Sequence, residues 1–128
     1  MEVLGIGNDL CEVERMTREL TREGGGFRDT VFTAAEIACC ESAAHPAQRF
    51  AARFAAKEAV FKALAPSGVG TLAWQEIEIV TGERGEPLVR LHGATERLAG
   101  ERGVDTVRVS LAHTPGVAAA FAVAVARG

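Results

Sequence analysis

Glu58 and Lys62 sit one helical turn apart in the longest helix-forming stretch of the chain, and Asp9 lies near the end of its first strand-forming stretch. One or two carboxylates are the usual protein share of a magnesium site whose octahedron is completed by water and phosphate oxygens. An ammonium beside them is a point charge suited to phosphate. These residue types therefore have the makings of phosphoryl-group chemistry, provided the fold brings Asp9 to Glu58. Each also has a plainer reading. An exposed Glu-to-Lys pair at this spacing contributes only about 0.2–0.5 kcal/mol to a helix, and an aspartate just ahead of a helix can cap its free N–H groups.

The elements that must position these residues follow from hydrophobic spacing. Residues 2–8 read as a strand in which Gly5 and Gly7 share the side of Asp9, where the missing side chains allow close approach of a ligand or another backbone. A helix from Glu12 to about Glu23 carries Val13, Met16 and Leu20 on one side and ends at Gly24-Gly25-Gly26. Thr33 and Glu36 have capping-box spacing ahead of a helix over 34–42. The long helix runs from Ala47 to Leu64 and is closed by Pro66, Ser67 and Gly68.

On the long helix, Phe50, Phe54, Phe61 and Leu64 form one stripe, while Glu58 and Lys62 share another face with Ala51 and Ala55, which leave room for a cleft. Lys57 falls near the stripe, so its stem is expected to pack and its head to reach out, as a snorkelling or a site residue. Arg49 and Arg53 point to the opposite flank, so one straight helix cannot easily aim all four charges into one pocket. A single ligand served by all of them implies a second subunit.

The remainder reads as strands 76–82 and 87–91, a helix 93–101, and strands 104–112 and 117–126. Short turns between strands favour an α+β fold with a mainly antiparallel sheet around the long central helix. The Gly5-Ile6-Gly7 run lacks the last glycine and the promptly following helix of a dinucleotide-binding turn.

At 128 residues, with 48% hydrophobic and 24% charged content, the chain is expected to form one domain over 1–128. No run of about 18 apolar residues and no basic, apolar leader is present, which predicts a cytoplasmic protein without a membrane partner. A net charge of −3 argues against nucleic acid as a partner. Cys11, Cys39 and Cys40, odd in number and two of them adjacent, fit free thiols better than disulfides or a zinc site.

Gly5-Ile6-Gly7-Asn8-Asp9-Leu10 and Arg53-Phe54-Ala55-Ala56-Lys57-Glu58-Ala59-Val60-Phe61-Lys62-Ala63-Leu64 resemble the two signature motifs of the holo-acyl-carrier-protein synthase family of phosphopantetheinyl transferases, in sequence and in spacing. Glu12-Val13-Glu14-Arg15, Phe32-Thr33 with Glu36, Trp74 with Glu76-Ile77-Glu78, Gly85-Glu86-Pro87, Leu91-His92-Gly93 and Val109-Ser110-Leu111-Ala112-His113-Thr114 extend the likeness over nearly the whole chain. Asn8 stands where the family usually has threonine, and the loop at Ala65-Pro66-Ser67-Gly68 departs from the usual glycine-rich form.

The resemblance implies a magnesium-dependent transfer of 4′-phosphopantetheine from coenzyme A to a serine of apo-acyl carrier protein, for fatty-acid or polyketide synthesis, with adenosine 3′,5′-bisphosphate leaving. It implies that Asp9 and Glu58 hold Mg²⁺, that Lys62 lies at the phosphates, and that Arg53, His113 and Thr114 contact coenzyme A. The serine proton would pass to Glu58 or to a water on the metal. Arg15 matches a position associated with the acidic carrier protein, and Arg18 and Arg22 extend the same basic helix face, with Arg28 just beyond. His45 and His92 read as loop or turn residues. Family members of this length are homotrimers with the site between subunits. Two other expectations stand beside this one: a non-catalytic module binding coenzyme A or carrier protein, and a magnesium-dependent nucleotide hydrolase, which the carboxylates and lysine alone would satisfy.

Overall fold

The structure, a computed structural model, describes residues 1–65 and 71–126. Its elements are β1 (Glu2–Glu12), α1 (Val13–Thr21), α2 (Phe27–Val31), α3 (Ala34–Glu41), α4 (Pro46–Leu64), a 3₁₀ turn (Trp74–Glu76), β2 (Ile77–Thr81), β3 (Pro87–Leu91), α5 (Gly93–Glu101), β4 (Thr106–His113) and β5 (Val117–Ala126). An antiparallel sheet of order β1-β5-β4 and a separate antiparallel hairpin β2-β3 flank α4. The α+β expectation holds, with two small sheets in place of one. No helix among the described residues is long and apolar enough to cross a membrane.

Helix α4 lies on the sheet through small residues. Ala118, Ala120, Ala122 and Ala124 of β5 face it from one side and Ala55, Ala59 and Ala63 from the other, all essentially without solvent contact. Where β1 passes beneath α4, the two backbones meet directly. A Cβ on Gly5 would overlap the carbonyl oxygen of Ala63, and one on Gly7 that of Ala59. Of the two uses expected for these glycines, close approach of another backbone is the one realised. Ala51 and Ala55 are likewise buried, so the alanine face of α4 is packed rather than open to a cleft.

Strand β1 continues to Glu12, four residues past the expected end, which places Asp9 within it. Alternation puts Asp9 on the helix side with Gly5, Gly7 and Cys11, and Ile6 and Leu10 on the outer face. The cap of α1 is Glu12, not Asp9, whose Oδ1 accepts from the N–H of Leu10 at 2.9 Å. The aspartate is therefore not spent on a helix cap.

Lys57 corrects the snorkelling expectation. It is fully buried, and its ammonium donates to Glu36 Oε1 at 2.8 Å and to the carbonyls of Trp74 at 2.9 Å and Ile77 at 2.6 Å. Three acceptors match the three N–H bonds of the head, which is what makes the burial tolerable. Burial holds its pKa below the usual lysine value, against the opposing pull of Glu36. Glu36 also closes the expected capping box with Thr33 and accepts from the N–H of Ile79 at 2.8 Å. One ion pair thus ties α3, α4 and β2 together.

The expected Pro66-Ser67-Gly68 stop lies outside the described residues. At the described end of α4, the guanidinium of Arg102 donates to the carbonyls of Ala63 and Leu64 and, at 3.4 Å, to Leu4. Helix end and β1 are thereby fastened together.

Removing Lys57 would leave a buried carboxylate without its counter-charge. Lys57→Met should therefore lower stability by about 3–5 kcal/mol, the usual cost of breaking a buried pair from one side. Urea denaturation at neutral pH reads this, and a loss below about 1 kcal/mol, ordinary for exposed pairs, would show that the pair does not tie the elements together.

Candidate active site

The contact of α4 with β1 delivers Glu58 to Asp9. Burial raises the Glu58 carboxyl from 4.5 to about 7, and hydrogen bonding and charge from Asp9 push the same way, against Lys62 and Arg15. Lys62 stands 3.7 Å from Asp9 Oδ1 and donates to the Asn8 carbonyl at 3.0 Å, with 54% of its side chain exposed. Asp9, Glu58 and Lys62 are thus brought together as the sequence implied, at the end of α4 that overlies the middle of β1.

A carboxyl near neutrality beside a second carboxylate and an ammonium can hold and release a proton, or share a divalent cation with its neighbour. Among the described residues no three His, Cys, Asp or Glu side chains converge on one point. A cation at Asp9 and Glu58 would consequently keep most of its coordination sphere for water and phosphate oxygens, as magnesium does.

Arg15 is exposed, its guanidinium 5.6 Å from the centre of the Phe54 ring, and it is close enough to lower the proton affinity of Glu58. Phe54 stacks in turn on Trp74, with ring centres 4.8 Å apart. This chain of contacts sets the first helix beside the carboxylates, a proximity its sequence does not announce. Arg18 pairs with Glu14 at 3.5 Å and Arg22 with Glu19 at 2.7 Å, while Arg28 pairs with Asp29 and Glu41.

The remaining residues lie elsewhere. Arg53 points to the opposite flank, where it is buried and donates to Thr81 Oγ1 at 2.9 Å. His113 is exposed at the end of β4, and Thr114 builds the following turn, its Oγ1 accepting from Gly116 at 3.2 Å and Val117 at 3.1 Å. Neither His113 nor Thr114 shares a hydrogen bond or ion pair with Asp9, Glu58 or Lys62. His92 exceeds its expected turn role: its Nε2 lies 3.0 Å from Glu78 Oε1, and Thr33 donates to the other oxygen at 2.7 Å. Although burial opposes it, these contacts hold the Glu78 carboxyl below the usual range.

The sequence profile of the 4′-phosphopantetheinyl transferase superfamily matches residues 5–126. A holo-[acyl-carrier-protein] synthase of Desulforudis audaxviator is 45% identical over 123 residues, covering 96% of this chain and 93% of its own. A crystal structure of the holo-[acyl-carrier-protein] synthase of Neisseria meningitidis superposes with a TM-score of 0.85 at 29% identity, covering 97% of this chain and 99% of that one. That of Helicobacter pylori, in complex with coenzyme A, gives 0.79 at 26% identity, covering 94% and 99%.

The raised Glu58 pKa fixes a sign for the metal-free protein. Below about pH 4.5 the carboxyl is protonated whether or not the chain is folded; between about 4.5 and 7 the folded chain holds the extra proton, so stability falls as pH rises, and above 7 the full loss stands. Glu58→Gln should flatten that limb of a urea midpoint-against-pH curve recorded in chelator. An unaltered decline would assign it to other groups.

Proposed function

The chain belongs to the 4′-phosphopantetheinyl transferase superfamily, and from that premise we propose that it moves 4′-phosphopantetheine from coenzyme A to a serine of an apo-acyl carrier protein. The observation that carries this reading is the meeting of Asp9, Glu58 and Lys62 in a chain similar to holo-[acyl-carrier-protein] synthases over nearly its full length. In the transfer the serine oxygen forms a bond to the β-phosphorus, the pyrophosphate bridge breaks, and adenosine 3′,5′-bisphosphate leaves with the electron pair.

Asp9 and Glu58 would hold Mg²⁺, since two adjacent carboxylates, one with a strongly raised pKa, gain most from a shared dication. When bound, the ion supplies neutralisation of pyrophosphate charge. Lys62, half exposed and retaining N–H groups beyond its bond to Asn8, would stabilise the charge growing on the leaving group. Glu58, poised near neutrality in the metal-free chain, suits receipt of the serine proton, directly or through a water. Arg15, with Arg18 on the same helix and Arg22 just past its end, would meet the acidic carrier in the cytoplasm and steer its approach despite the net charge of −3.

Assembly as a homotrimer has its own support. Ile6, Leu10 and Phe121 are 70%, 66% and 59% exposed on the outer face of the sheet, and a hollow lined by Ile6, Asn8, Phe121 and Lys62 joins that face to the site. Apolar side chains massed in this way suit contact with further copies of the chain. The opposite aim of Arg53 and Glu58 then lets Arg53, His113 and Thr114 of one copy serve coenzyme A bound at its neighbour. Each copy would be a single transferase domain.

Incubated with coenzyme A, magnesium and apo-acyl carrier protein, the chain should add one phosphopantetheine mass to the carrier, seen by mass spectrometry. Asp9→Asn or Glu58→Gln should slow this by roughly 10²–10⁴-fold. Bisphosphate release without carrier labelling would point instead to a hydrolase, and coenzyme A binding without turnover to a binding module. Light scattering should report three copies per particle, and Phe121→Glu should yield smaller species and lose transfer. A wild-type monomer with full activity would remove the shared-site reading.

A further inference from the structure

Arg53 is a buried cation without a carboxylate. Only 4% of it is exposed, and neither it nor the neighbouring exposed Arg49 forms a salt bridge with an acidic side chain among the described residues. What the two guanidinium groups share is the sulfur of Cys39. Arg53 Nη2 lies 3.4 Å and Arg49 Nη1 3.8 Å from Sγ, and Thr81 Oγ1 lies 3.6 Å from it. Thr81 accepts from Arg53 Nη2 at 2.9 Å, so its own O–H is free to donate to the sulfur. Three donors thus converge on one half-buried thiol, an environment that favours the thiolate.

We propose that Cys39 is a peroxide-reactive thiol, oxidised to a sulfenate that is held by Arg53, Arg49 and Thr81. The Sγ lone pair attacks one oxygen of a peroxide, an S–O bond forms as the O–O bond breaks, and sulfur gives up two electrons. The peroxide is reduced to hydroxide, or alkoxide, which takes a proton from solvent. A second feature favours this product: the Nε–H of Arg53 is buried and has no acceptor among the described residues. A sulfenate oxygen adds an acceptor beside a guanidinium with a donor to spare.

The other two thiols are built differently, which makes the chemistry selective. Cys40 has no solvent exposure and Cys11 only 2%, and burial pushes their pKa values to about 12 and about 11. Burial acts on Cys39 too, but Thr81, Arg53 and Arg49 outweigh it and bring its pKa below the ordinary thiol value. Because Arg53 is also proposed to contact coenzyme A, oxidation should weaken that binding. This consequence rests on the Arg53 assignment, whereas reaction at the thiol does not.

The test treats the folded full chain with hydrogen peroxide in the presence of dimedone, which attacks the sulfenate sulfur and displaces hydroxide, and maps the adduct by peptide mass spectrometry. Dimedone should appear on Cys39 and not on Cys11 or Cys40. Arg49→Gln, an exposed change outside the proposed site, should slow labelling by roughly tenfold, because a neighbouring cation that favours the thiolate is lost. Labelling of Cys39 no faster than of Cys40, or at an equal rate in Arg49→Gln, would overturn the proposal. Calorimetric titration of the oxidised chain with adenosine 3′,5′-bisphosphate, the part of coenzyme A that carries no thiol to condense with a sulfenate, tests the consequence separately: unchanged affinity on a fully oxidised Cys39 would overturn the link to Arg53 alone.

Discussion

The contact of α4 with β1 is the constraint on which the rest depends. Two glycines on the strand and two alanines on the helix let backbone meet backbone, with Gly5 against Ala63 and Gly7 against Ala59. Helices and sheets usually pack through side chains of several carbons, and at that separation short carboxylates on the two elements would not reach each other. Here the strand is pulled under the helix for two residue pairs, and Asp9 follows on the same side one step later. Arg102 secures the far end of this seam by binding the carbonyls at the end of α4 together with that of Leu4.

Close approach fixes the distance between α4 and β1 but not the rotation of the helix about its axis. The buried pair of Lys57 and Glu36 supplies that second coordinate. Lys57 is committed to α3, the 3₁₀ turn and β2 through three acceptors, and the next residue along a helix must point about 100° away. Glu58 is thereby turned toward β1. Arg53, one turn before Lys57, shares the flank of α3 and β2 and reaches Thr81 and Cys39. The separation of Arg53 from Glu58, which a helical wheel gives from sequence, is anchored in the structure by this ion pair.

Much of this was legible in the order of residues, because hydrophobic spacing and capping chemistry act locally. The capping box at Thr33, the long alanine-rich helix, the α+β class and the free thiols could all be read before any fold was known. The length of β1 could not, since residues 9–12 become strand by pairing with β5 at Ala120 to Val117, far away in sequence. The burial of Lys57 is not legible in the sequence for a related reason. Its partners are Glu36, whose carboxylate appeared spent on a cap, and two backbone carbonyls, which carry no sequence signal. Arg102 and the meeting of Arg15 with Phe54 are long-range contacts of the same kind.

Two lysines five residues apart on α4 show how the fold assigns different work to one side-chain type. Lys57 has each N–H matched to an acceptor and no solvent, so any ligand would have to displace bonds that hold three elements together. Lys62 has one short bond, to the Asn8 carbonyl, and a long approach to Asp9, and it stands half in water. Turning toward a phosphate costs it little, while the charge it would meet is multiple. The same asymmetry separates Glu36, whose oxygens are occupied by Lys57 and backbone N–H groups, from Glu58, whose pKa is raised by burial and by the neighbouring Asp9 more than Lys62 and Arg15 lower it. Of these four side chains, Glu58 and Lys62 are thus the two with charge left to offer a ligand, since Lys57 and Glu36 are satisfied by each other and by the backbone.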